Sequence, residues 1–452
     1  MIVMKFGGSS VAGAERIANV AGVVADRAAD RPLVVVSALS GVTDLLARAV
    51  EAAAAGDLDR LEPLVAETER THRWALAALT DARRRHHVGL EVERLLEDLR
   101  GRLRSIRVLG EATPRAADAV LAFGEDLSSR IVAEAFIDRG LRARWIDPRT
   151  VVRTNDAFGS AEADEDAVRA ACDRVLRPIL DQGLVPVTGG FVGATSAGDT
   201  ATLGRGGSDT SATVLGLGLN AEEIQIWTDV DGLMTADPRL VPQARTLDSV
   251  SFAEAADLAF YGAKVLHPSA IAPAVRRHIP VRVLNSLRPA ATGTRIVADA
   301  DGRSSPAAVA SRDGIRLVRI TNRRMRMEHG FVPSVLLACA RDAVEPDLVV
   351  SSGVGVTIAT RHPCDPRALA SAGGGEWQVD VQDGRALVCV VGSGLSTAAR
   401  LRGQVVGCFA EWEPDVVAVG ASGTSAAAVL PVDRLEGALR ALHERFFEAR
   451  VG

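Results

Sequence analysis

The first forty residues place two short apolar runs on either side of a helix-like segment. Residues 2–6 and 33–36 are apolar runs of strand length, and each ends in small residues, at 7–10 and at 37–41. The stretch between them, from about 11 to 29, is rich in alanine and predicts a helix. Strand, small-residue turn, helix and strand together are typical of a βαβ unit in an α/β sheet.

From about residue 43 to 109 the pattern changes to a helical period. Apolar residues recur here at spacings of three and four: Val88, Val92, Leu95, Leu99, Leu103 and Ile106. This spacing predicts an amphipathic helix with one buried face. The charged run at 83–87 then predicts the solvent-exposed surface of that helix, because adjacent histidines do not share a helical face and are a weak sign of a metal site.

Strand-like runs then return, and a linker follows them. Apolar runs at 184–188, 224–227 and 281–284 predict further strands, each followed by small or polar residues. A helix is expected from about 210 to 219. Residues 298–313 are small, polar and proline-containing, which predicts a linker and a domain boundary near residue 300.

The tail contains a weak internal repeat. Residues 314–320 resemble 384–390 at an offset of 70, and 347–350 resemble 415–418 at an offset of 68. Two copies of a unit of about seventy residues predict paired small α/β modules. A final helix is expected over 434–448.

Composition excludes several classes of protein. Acidic residues outnumber basic ones by 57 to 52, which counts against a nucleic-acid binder. Apolar residues make up 47% and charged residues 24%, as in ordinary globular proteins. The start does not resemble a secretion signal, and no stretch resembles a membrane span. The five scattered cysteines fit a reducing compartment, so we expect a cytoplasmic protein without nucleic-acid or membrane partners.

The basic residues are distributed very unevenly between lysine and arginine. Only two of the 52 are lysines, Lys5 and Lys264, and the other fifty are arginines. Lysine supplies a compact ammonium, whereas arginine supplies a planar guanidinium. The two lysines therefore predict a site that needs a compact cation; the alternative is chance placement on a strand and at a helix end.

Two glycine-rich turns carry the strongest candidate chemistry. Gly7 and Gly8 follow Lys5 at the end of a predicted strand, and residues 204–209 open a predicted helix after Arg205. Glycines allow close approach of the backbone to a ligand, and a helix N-terminus presents free N–H groups to anions. The two turns predict a polyphosphate site between them, although neither fits a P-loop or GxGxxG pattern and each alone is also an ordinary tight turn.

Two further clusters lie later in the chain. Residues 228–239 form an Asp-rich segment at the carboxyl end of a predicted strand, where open α/β sheets bind ligands. Residues 261–268 contain Lys264, the only tyrosine, and His267 before a proline. Each cluster also has a purely structural interpretation, as a polar turn and as a hydrogen-bonding histidine.

Six segments in this order closely resemble aspartate kinases: residues 5–11, 36–43, 123–129, 203–209, 227–232 and 262–268. The resemblance covers about residues 1–295. The repeated tail resembles, less closely, the paired ACT modules of that family, and the helical segment near 50–115 resembles the longer aspartate kinases.

The resemblance implies a fold and a domain organisation. The fold class is α/β, an amino-acid-kinase three-layer α/β/α sandwich followed by an α+β pair of ACT-like modules. The implied catalytic domain spans 1–297 and contains a helical insertion at about 43–115. A linker at 298–313 follows it, and the two ACT-like modules span 314–383 and 384–452.

The resemblance also implies transfer of the ATP γ-phosphate to the β-carboxylate of L-aspartate, with Mg²⁺ held mostly by phosphate and water. The nucleophile is ionised at neutral pH, with an unperturbed pKa of ~3.9, so catalysis needs charge compensation and alignment more than a base. The implied catalytic residues are Lys5, Asp209, Lys264, Gly7, Gly8 and Gly207, the glycines together with Gly206 giving backbone N–H groups to the phosphoryl. The implied substrate residues are Thr43, Glu125 for the ammonium, Arg205 for a carboxylate, and Ser208. The implied nucleotide residues are Lys5, Ser9, Thr228, Asp229, Met234, Arg239, Lys264 and Val265, and no protein metal ligand is implied.

The sequence departs from the family at a few positions. Residue 234 is Met where many relatives have Tyr, and the segments 351–357 and 420–426 lack the usual polar residues of ACT modules. The resemblance implies an amino-acid effector at the modules and a homodimer or homotetramer. The sequence leaves open the identity of that effector, another carboxylate substrate for the kinase, and a non-catalytic amino-acid sensor.

Overall fold

The computed structural model describes residues 1–262, 268–300, 306–322, 330–420 and 422–448. The chain divides into two compact units, each built from several segments. The first unit consists of Met1–Leu233, Thr246–Phe252 and Lys264–Ala300, and the second of Met234–Arg245, Ala253–Ala263 and Asp301–Gly452. Lys264, Val265 and His267 lie outside the described residues.

The helices of the described residues are α1 (Ala14–Ala25), α2 (Val42–Ala54), α3 (Leu58–Ala75), α4 (Ala82–Leu109), α5 (Pro114–Leu121), α6 (Phe123–Asp138), α7 (Glu165–Ala171), α8 (Arg177–Asp181), α9 (Gly207–Leu219), α10 (Phe252–Tyr261), α11 (Ala272–Arg276), α12 (Phe331–Arg341), α13 (Pro366–Ala372), α14 (Gly394–Thr397), α15 (Ala399–Ala410) and α16 (Leu435–His443). The strands are β1 (Ile2–Phe6), β2 (Leu33–Val36), β3 (Ala143–Ile146), β4 (Val185–Gly189), β5 (Val192–Ala194), β6 (Thr200–Thr202), β7 (Glu223–Thr228), β8 (Ser249–Ser251), β9 (Val281–Asn285), β10 (Thr294–Val297), β11 (Ala308–Asn322), β12 (Leu348–Ser351), β13 (Gly355–Thr360), β14 (Trp377–Val391), β15 (Val416–Val419) and β16 (Ser425–Pro431).

An eight-stranded sheet forms the centre of the first unit, in the order β3-β4-β2-β1-β7-β9-β10-β8. The strands from β3 to β9 pair in parallel, and β10 is antiparallel to β9. Their apolar runs fit this arrangement, because central parallel strands are buried on both faces. The carboxyl ends of β1, β2 and β4 therefore meet at one edge of the sheet.

Helices cover both faces of this sheet, as the alternation of side chains along β1 shows. Met4 and Phe6 join a core cluster with residues of α1 and α6. Val3 points to the other face, where a Cβ on Gly216 of α9 would lie 3.6 Å from its side chain. Successive strand residues point to opposite faces, so the unit has helix, sheet and helix layers.

The predicted helical insertion is made of α2, α3, α4 and α5. The side chains of Asp57, Asp81 and Thr113 accept backbone N–H bonds at the first turns of α3, α4 and α5. Such caps satisfy amides that have no partner within the helix. The apolar stripe from Val88 to Ile106 is buried in α4, as its spacing predicts.

A six-stranded antiparallel sheet, in the order β12-β13-β11-β14-β16-β15, forms the centre of the second unit. The two halves of the sequence repeat fall on corresponding strands. Residues 314–320 and 384–390 lie in β11 and β14, which pair with each other, and 347–350 and 415–418 overlap the edge strands β12 and β15. The repeat is therefore a pair of similar modules joined in one sheet.

Two details differ from the sequence prediction. Residues 308–313, which we expected in the linker, belong to β11: the backbone of 308–312 pairs with β14, and Ala308, Val309 and Ala310 are buried. Residues 234–245 and 253–262, expected in the catalytic domain, belong to the second unit. Their chain positions precede the predicted boundary near residue 300, so the units are discontinuous in sequence. The remaining domain bounds stay predictions.

Candidate active site

A cleft of about 420 Å³ lies in the first unit at the carboxyl ends of β1 and β2, beside the N-terminus of α9. It is lined by Lys5, Gly8, Ser9, Ser37, Ala38, Leu39, Ser40, Gly41, Thr43, Asp44, Glu125, Phe191, Gly204, Arg205, Gly206, Gly207, Ser208 and Asp209. Both glycine-rich turns of the sequence therefore meet here. A parallel sheet places its ligand sites at this edge.

Lys5 and Asp209 form a close ion pair at the floor of the cleft. The Nζ of Lys5 lies 2.6 Å from Oδ1 of Asp209, and both side chains are largely buried. Lys5 belongs to β1 and Asp209 to the first turn of α9. The pairing fixes the ammonium in position and offsets the cost of burying it.

Gly8 and Gly207 of the cleft lie so close to neighbouring atoms that no side chain fits at either position. A Cβ on Gly8 would lie 2.8 Å from the carbonyl oxygen of Ala38, and a Cβ on Gly207 would lie 2.5 Å from the ring of Phe191. These distances are too short for any real Cβ atom. The two turns therefore approach their neighbours only because they lack side chains.

The prediction that four glycine N–H groups face a phosphate is wrong for two of them. The N–H of Gly7 donates to the carbonyl of Trp227 at 3.0 Å, and that of Gly207 donates to the carbonyl of Gly204 at 3.0 Å. These two groups are thus already used within the fold and do not point freely at a phosphate. Within the described ranges the N–H groups of Gly8 and Gly206 have no acceptor, and their role toward a phosphate stays a prediction.

Glu125 is a buried carboxyl group with one oxygen left unpaired. It belongs to α6, is 3% exposed, and its Oε1 accepts the N–H of Ala38 at 3.0 Å. Its Oε2 has no hydrogen-bond partner among the described residues. Burial, opposed by the Ala38 hydrogen bond, raises the pKa of Glu125 to about 8. An unpaired buried oxygen at a cleft is suited to a cationic group of a ligand.

The other predicted substrate residues also lie at the cleft. Arg205 is exposed, and no acidic partner of its guanidinium occurs in the part of the chain that the structure describes. Ser208 lies beside Gly190, where a Cβ would come within 2.7 Å of the Ser208 Cβ. Thr43 lies in the first turn of α2. A free guanidinium is available for bidentate binding of a carboxylate.

The predicted nucleotide residues are only partly brought together. Ser9 lines the cleft. Thr228 is the last residue of β7 and Asp229 follows it; neither residue lines the cleft, and the Oγ1 of Thr228 donates to the Oδ1 of Asp229 at 3.1 Å. Met234 and Arg239 belong to the second unit, where the guanidinium of Arg239 pairs with Asp237 at 2.6 Å. Lys264 and Val265 lie outside the described residues, so the convergence of both lysines stays a prediction.

Sequence reasoning missed Phe191 and the small-residue loop after β2 as cleft residues. Phe191 has a positive φ of 62°, which is unusual for a residue with a side chain, and its ring lies on Gly207. Non-glycine residues in this region concentrate at functional sites. The signal available in the sequence was the pair Gly189-Gly190 directly before it.

No group of three or more His, Cys, Asp or Glu side chains in the described ranges is arranged to hold a metal ion. No helix found in the same ranges is both long and apolar enough to cross a bilayer.

Comparison with known proteins identifies the class. Residues 1–285 match the model of the amino acid kinase family. The chain therefore belongs to that family, and within it to the aspartokinases. It is 36% identical over 461 residues to lysine-sensitive aspartokinase 3 of Escherichia coli (strain K12), covering 99% of each chain. It is 30% identical to the aspartokinase of Schizosaccharomyces pombe, covering 99% of this chain and 93% of the relative.

Solved structures agree with this assignment. The structure of Escherichia coli aspartokinase III with lysine and aspartate matches with a TM-score of 0.86 at 34% identity, covering 99% of each chain. The structure of the same enzyme with aspartate and ADP matches with a TM-score of 0.82 at 34% identity, covering 99% of this chain and 100% of that one. The predicted family and fold class, an amino-acid kinase followed by ACT-type modules, are thereby confirmed.

Proposed function

We propose that this chain transfers the γ-phosphoryl group of ATP to the β-carboxylate of L-aspartate, giving 4-phospho-L-aspartate. One observation supports this most: a fixed ammonium, an unpaired buried carboxyl oxygen and a free guanidinium line the same cleft. These are the side chains of Lys5, Glu125 and Arg205. The related Escherichia coli aspartokinase III has been solved in complex with aspartate and ADP.

The three groups complement the ends of aspartate. The unpaired oxygen of Glu125 accepts the α-ammonium, and the guanidinium of Arg205 binds a carboxylate with two parallel hydrogen bonds. Ser208 and Thr43 supply hydroxyl groups at the same cleft. This arrangement selects a short dicarboxylic amino acid and leaves its other carboxylate directed at the phosphoryl group.

The phosphoryl side of the cleft compensates charge. The β-carboxylate is already ionised at neutral pH, so the reaction needs no general base. Lys5, held by Asp209, neutralises charge on the phosphates, and the free N–H groups of Gly8 and Gly206 donate to the phosphoryl oxygens. Because these groups are fixed before the substrate arrives, they stabilise charge without reorganising.

Mg²⁺ accompanies ATP in this proposal. The chemistry of the donor set indicates that the protein contributes little to its coordination, since Asp209 is committed to Lys5 and Glu125 is committed to the ammonium side. Phosphate oxygens and water then hold the ion. When bound, Mg²⁺ supplies neutralisation of phosphate charge.

The remaining nucleotide contacts rest on the family resemblance. We assign Ser9, Thr228, Asp229, Met234, Arg239, Lys264 and Val265 to ATP on that ground. Lys264 would supply the second compact cation that the composition predicts. Ser9 has structural support as well, because it lines the cleft.

The second unit is the proposed regulatory part. The Escherichia coli relative is named lysine-sensitive, and its structure with lysine and aspartate resembles this chain. We assign an amino-acid effector to the paired modules, and association into a homodimer or homotetramer in the cytoplasm. The edge strands β12 and β15 carry exposed valines, Val349, Val350 and Val419, which support association. Light scattering of monomers alone would contradict the oligomer.

A hydroxamate assay tests the activity. Purified protein is incubated with ATP, Mg²⁺ and hydroxylamine, and a panel of acceptors is compared: L-aspartate, L-glutamate and N-acetyl-L-aspartate. Product with L-aspartate alone is expected, because N-acetylation removes the ammonium that Glu125 binds. Preference for glutamate would indicate another carboxylate kinase, and nucleotide binding without product would indicate a sensor. Repeating the assay with lysine or threonine tests the effector.

A further inference from the structure

Asp118 is a fully buried carboxylate in α5 that accepts three hydrogen bonds. Its Oδ2 accepts the N–H of Gly159 at 2.9 Å and the N–H of Thr202 at 2.8 Å, and its Oδ1 accepts the hydroxyl of Thr202 at 2.7 Å. Asp118 lies outside the six segments that resemble aspartate kinases. A buried carboxylate without an ionic partner persists only where such donors are fixed around it.

The two partners of Asp118 support the loop that carries Arg205. Thr202 ends β6 and precedes Gly204 by two residues. Gly204 has a φ of +68°, and a Cβ on it would lie 3.3 Å from the carbonyl oxygen of Gly159. The loop thus starts at one partner of Asp118 and packs against the other.

The opposite end of β6 is also held by a side chain. The Nε of Arg149 donates to the hydroxyl of Thr200 at 2.8 Å, and its guanidinium binds both oxygens of Asp126 at 2.9 and 2.8 Å. Asp126 directly follows Glu125 in α6. In the described residues β6 pairs with the short strand β5, and the carbonyl of Thr202 also accepts the N–H of Ala161 at 2.9 Å, so these side-chain bonds add to the few backbone bonds that hold the strand.

We propose that Asp118 is a positioning residue for aspartate binding. It fixes the end of β6, and thereby places Arg205 and Ser208 opposite Glu125 across the cleft. This inference rests on the proposed function. Lys5 is carried by a different strand, β1, and Gly206 of the displaced loop acts on the phosphoryl group during transfer, so we expect the KM for aspartate to change more than the KM for ATP, with any effect through Gly206 falling on kcat.

Asp118→Ala and Asp118→Asn test the proposal. Alanine leaves two backbone N–H groups and one hydroxyl without an acceptor, and we expect the KM for aspartate to rise about tenfold or more because small displacements of binding groups are costly. The KM for ATP is expected to stay within about twofold. Asparagine keeps an oxygen for both N–H groups and directs its amide at the Thr202 hydroxyl, so it is expected to restore most of the aspartate KM.

Asp138 provides a matched control. Its carboxylate, at the end of α6, accepts the N–H and hydroxyl of Thr80, both at 2.7 Å, and the N–H of Asp81 at 3.0 Å, and so ties α6 to the helical insertion. Asp138→Ala removes the same kinds of bonds and is expected to lower the melting temperature with both KM values unchanged. Thr202→Val, which removes only the hydroxyl, serves if Asp118→Ala does not fold, and is expected to raise the aspartate KM about threefold.

The outcomes separate the two proposals. An inactive wild-type protein contradicts the proposed function itself. An active wild type whose Asp118→Ala and Thr202→Val variants keep the normal aspartate KM, or raise both KM values equally, overturns the positioning role. A rise confined to aspartate, absent in Asp138→Ala and largely reversed in Asp118→Asn, supports it.

Discussion

The Nζ of Lys5 and the Oδ1 of Asp209 lie 2.6 Å apart, although one residue is in the first strand and the other opens α9. Within the described residues Asp209 is the acidic partner of Lys5, so the ammonium keeps donor capacity for a ligand in the cleft that both residues line. Both side chains are largely shielded from water, so their attraction is screened less than that of a surface pair. The pair makes Lys5 a fixed cation before any nucleotide binds.

Replacing Lys5 should therefore abolish turnover. We expect Lys5→Ala to lower kcat by about a thousandfold, as when one charge-stabilising donor is removed, and Lys5→Arg to restore little because a planar guanidinium does not fit the ammonium position. The hydroxamate assay measures both. Arg31→Ala, which breaks an exposed pair with Asp181 at 2.6 Å, is the control and should leave kcat unchanged. Near-normal turnover of Lys5→Ala would contradict the assignment.

Glu125→Gln should separate aspartate binding from ATP binding. Glutamine keeps an oxygen for the N–H of Ala38 but replaces the unpaired Oε2 with a neutral amide. We expect the KM for aspartate to rise about a hundredfold, with the KM for ATP nearly unchanged. Steady-state kinetics with each substrate varied in turn provide the measurement. Equal changes in both KM values would indicate a structural role instead.

The same residue predicts a pH dependence of stability. Burial holds the pKa of Glu125 at about 8, above its ordinary value of 4.5. Between these two values the unfolded chain has released a proton that the folded chain keeps, so the free energy of unfolding falls as pH rises from 4.5 to 8. Glu125→Gln removes the titrating group, and with it this contribution to the fall in the free energy of unfolding. In urea titrations at pH 6 and pH 8, the decrease in stability should be smaller in the variant, and an equal decrease would exclude the effect.

Arg205→Lys tests the need for two parallel hydrogen bonds. Lysine keeps the charge but loses the fork that binds a carboxylate through two N–H groups. We expect kcat/KM for aspartate to fall about a hundredfold, and Arg205→Ala to fall further. Because Arg205 is exposed, neither change should lower the melting temperature. A fully active Arg205→Lys enzyme would show that charge alone is sufficient.

The sequence predicted those parts of the molecule that local patterns determine. The run Leu33–Val36 is a strand, as predicted. Helix α9 begins at Gly207, three residues before the expected start, because Gly207 and Ser208 form part of its first turn. The glycine turns at the cleft were also predicted, because the first follows β1 of the large sheet and the second lies between β6 of the two-stranded sheet and α9.

Contacts between segments that are distant in the chain could not be predicted from the sequence. No local pattern shows that the N–H of Gly7 is taken by Trp227, or that Asp118 accepts bonds from Gly159 and Thr202. Whether a polar group is free for a ligand depends on which partner the fold brings to it. The sequence therefore gives candidate groups, and the fold decides which remain available.

His72 predicts acid sensitivity of the helical insertion. It is fully buried in α3, its Nδ1 bonds to the carbonyl of Thr68 at 2.7 Å, and burial lowers its pKa to about 4. As pH falls from 6.5 toward 4, His72 becomes protonated in the unfolded chain but stays neutral in the folded chain. The free energy of unfolding therefore decreases by up to ~1.4 kcal/mol per pH unit. Urea unfolding of wild type and His72→Leu at pH 6.5 and 5 should show a weaker pH dependence in the variant; parallel behaviour would contradict the assignment.

Gly190→Ala should disturb the start of α9 directly. Its Cβ would lie 2.7 Å from the Cβ and 2.8 Å from the Cα of Ser208, and since the Cα is backbone, the helix N-terminus itself must move. We expect a loss of stability of about 1–3 kcal/mol and a fall of kcat/KM for aspartate of about a hundredfold.

Gly22→Ala is the matched control for that substitution. Gly22 is an exposed residue of α1, and nothing lies within 4 Å of a Cβ placed there. Because alanine favours a helix more than glycine, this variant should be more stable by up to about 1 kcal/mol with unchanged kinetics. If Gly190→Ala kept the kinetics of Gly22→Ala, the N-terminus of α9 would tolerate displacement, and the aspartate site would not depend on the close approach of Gly190 to that helix.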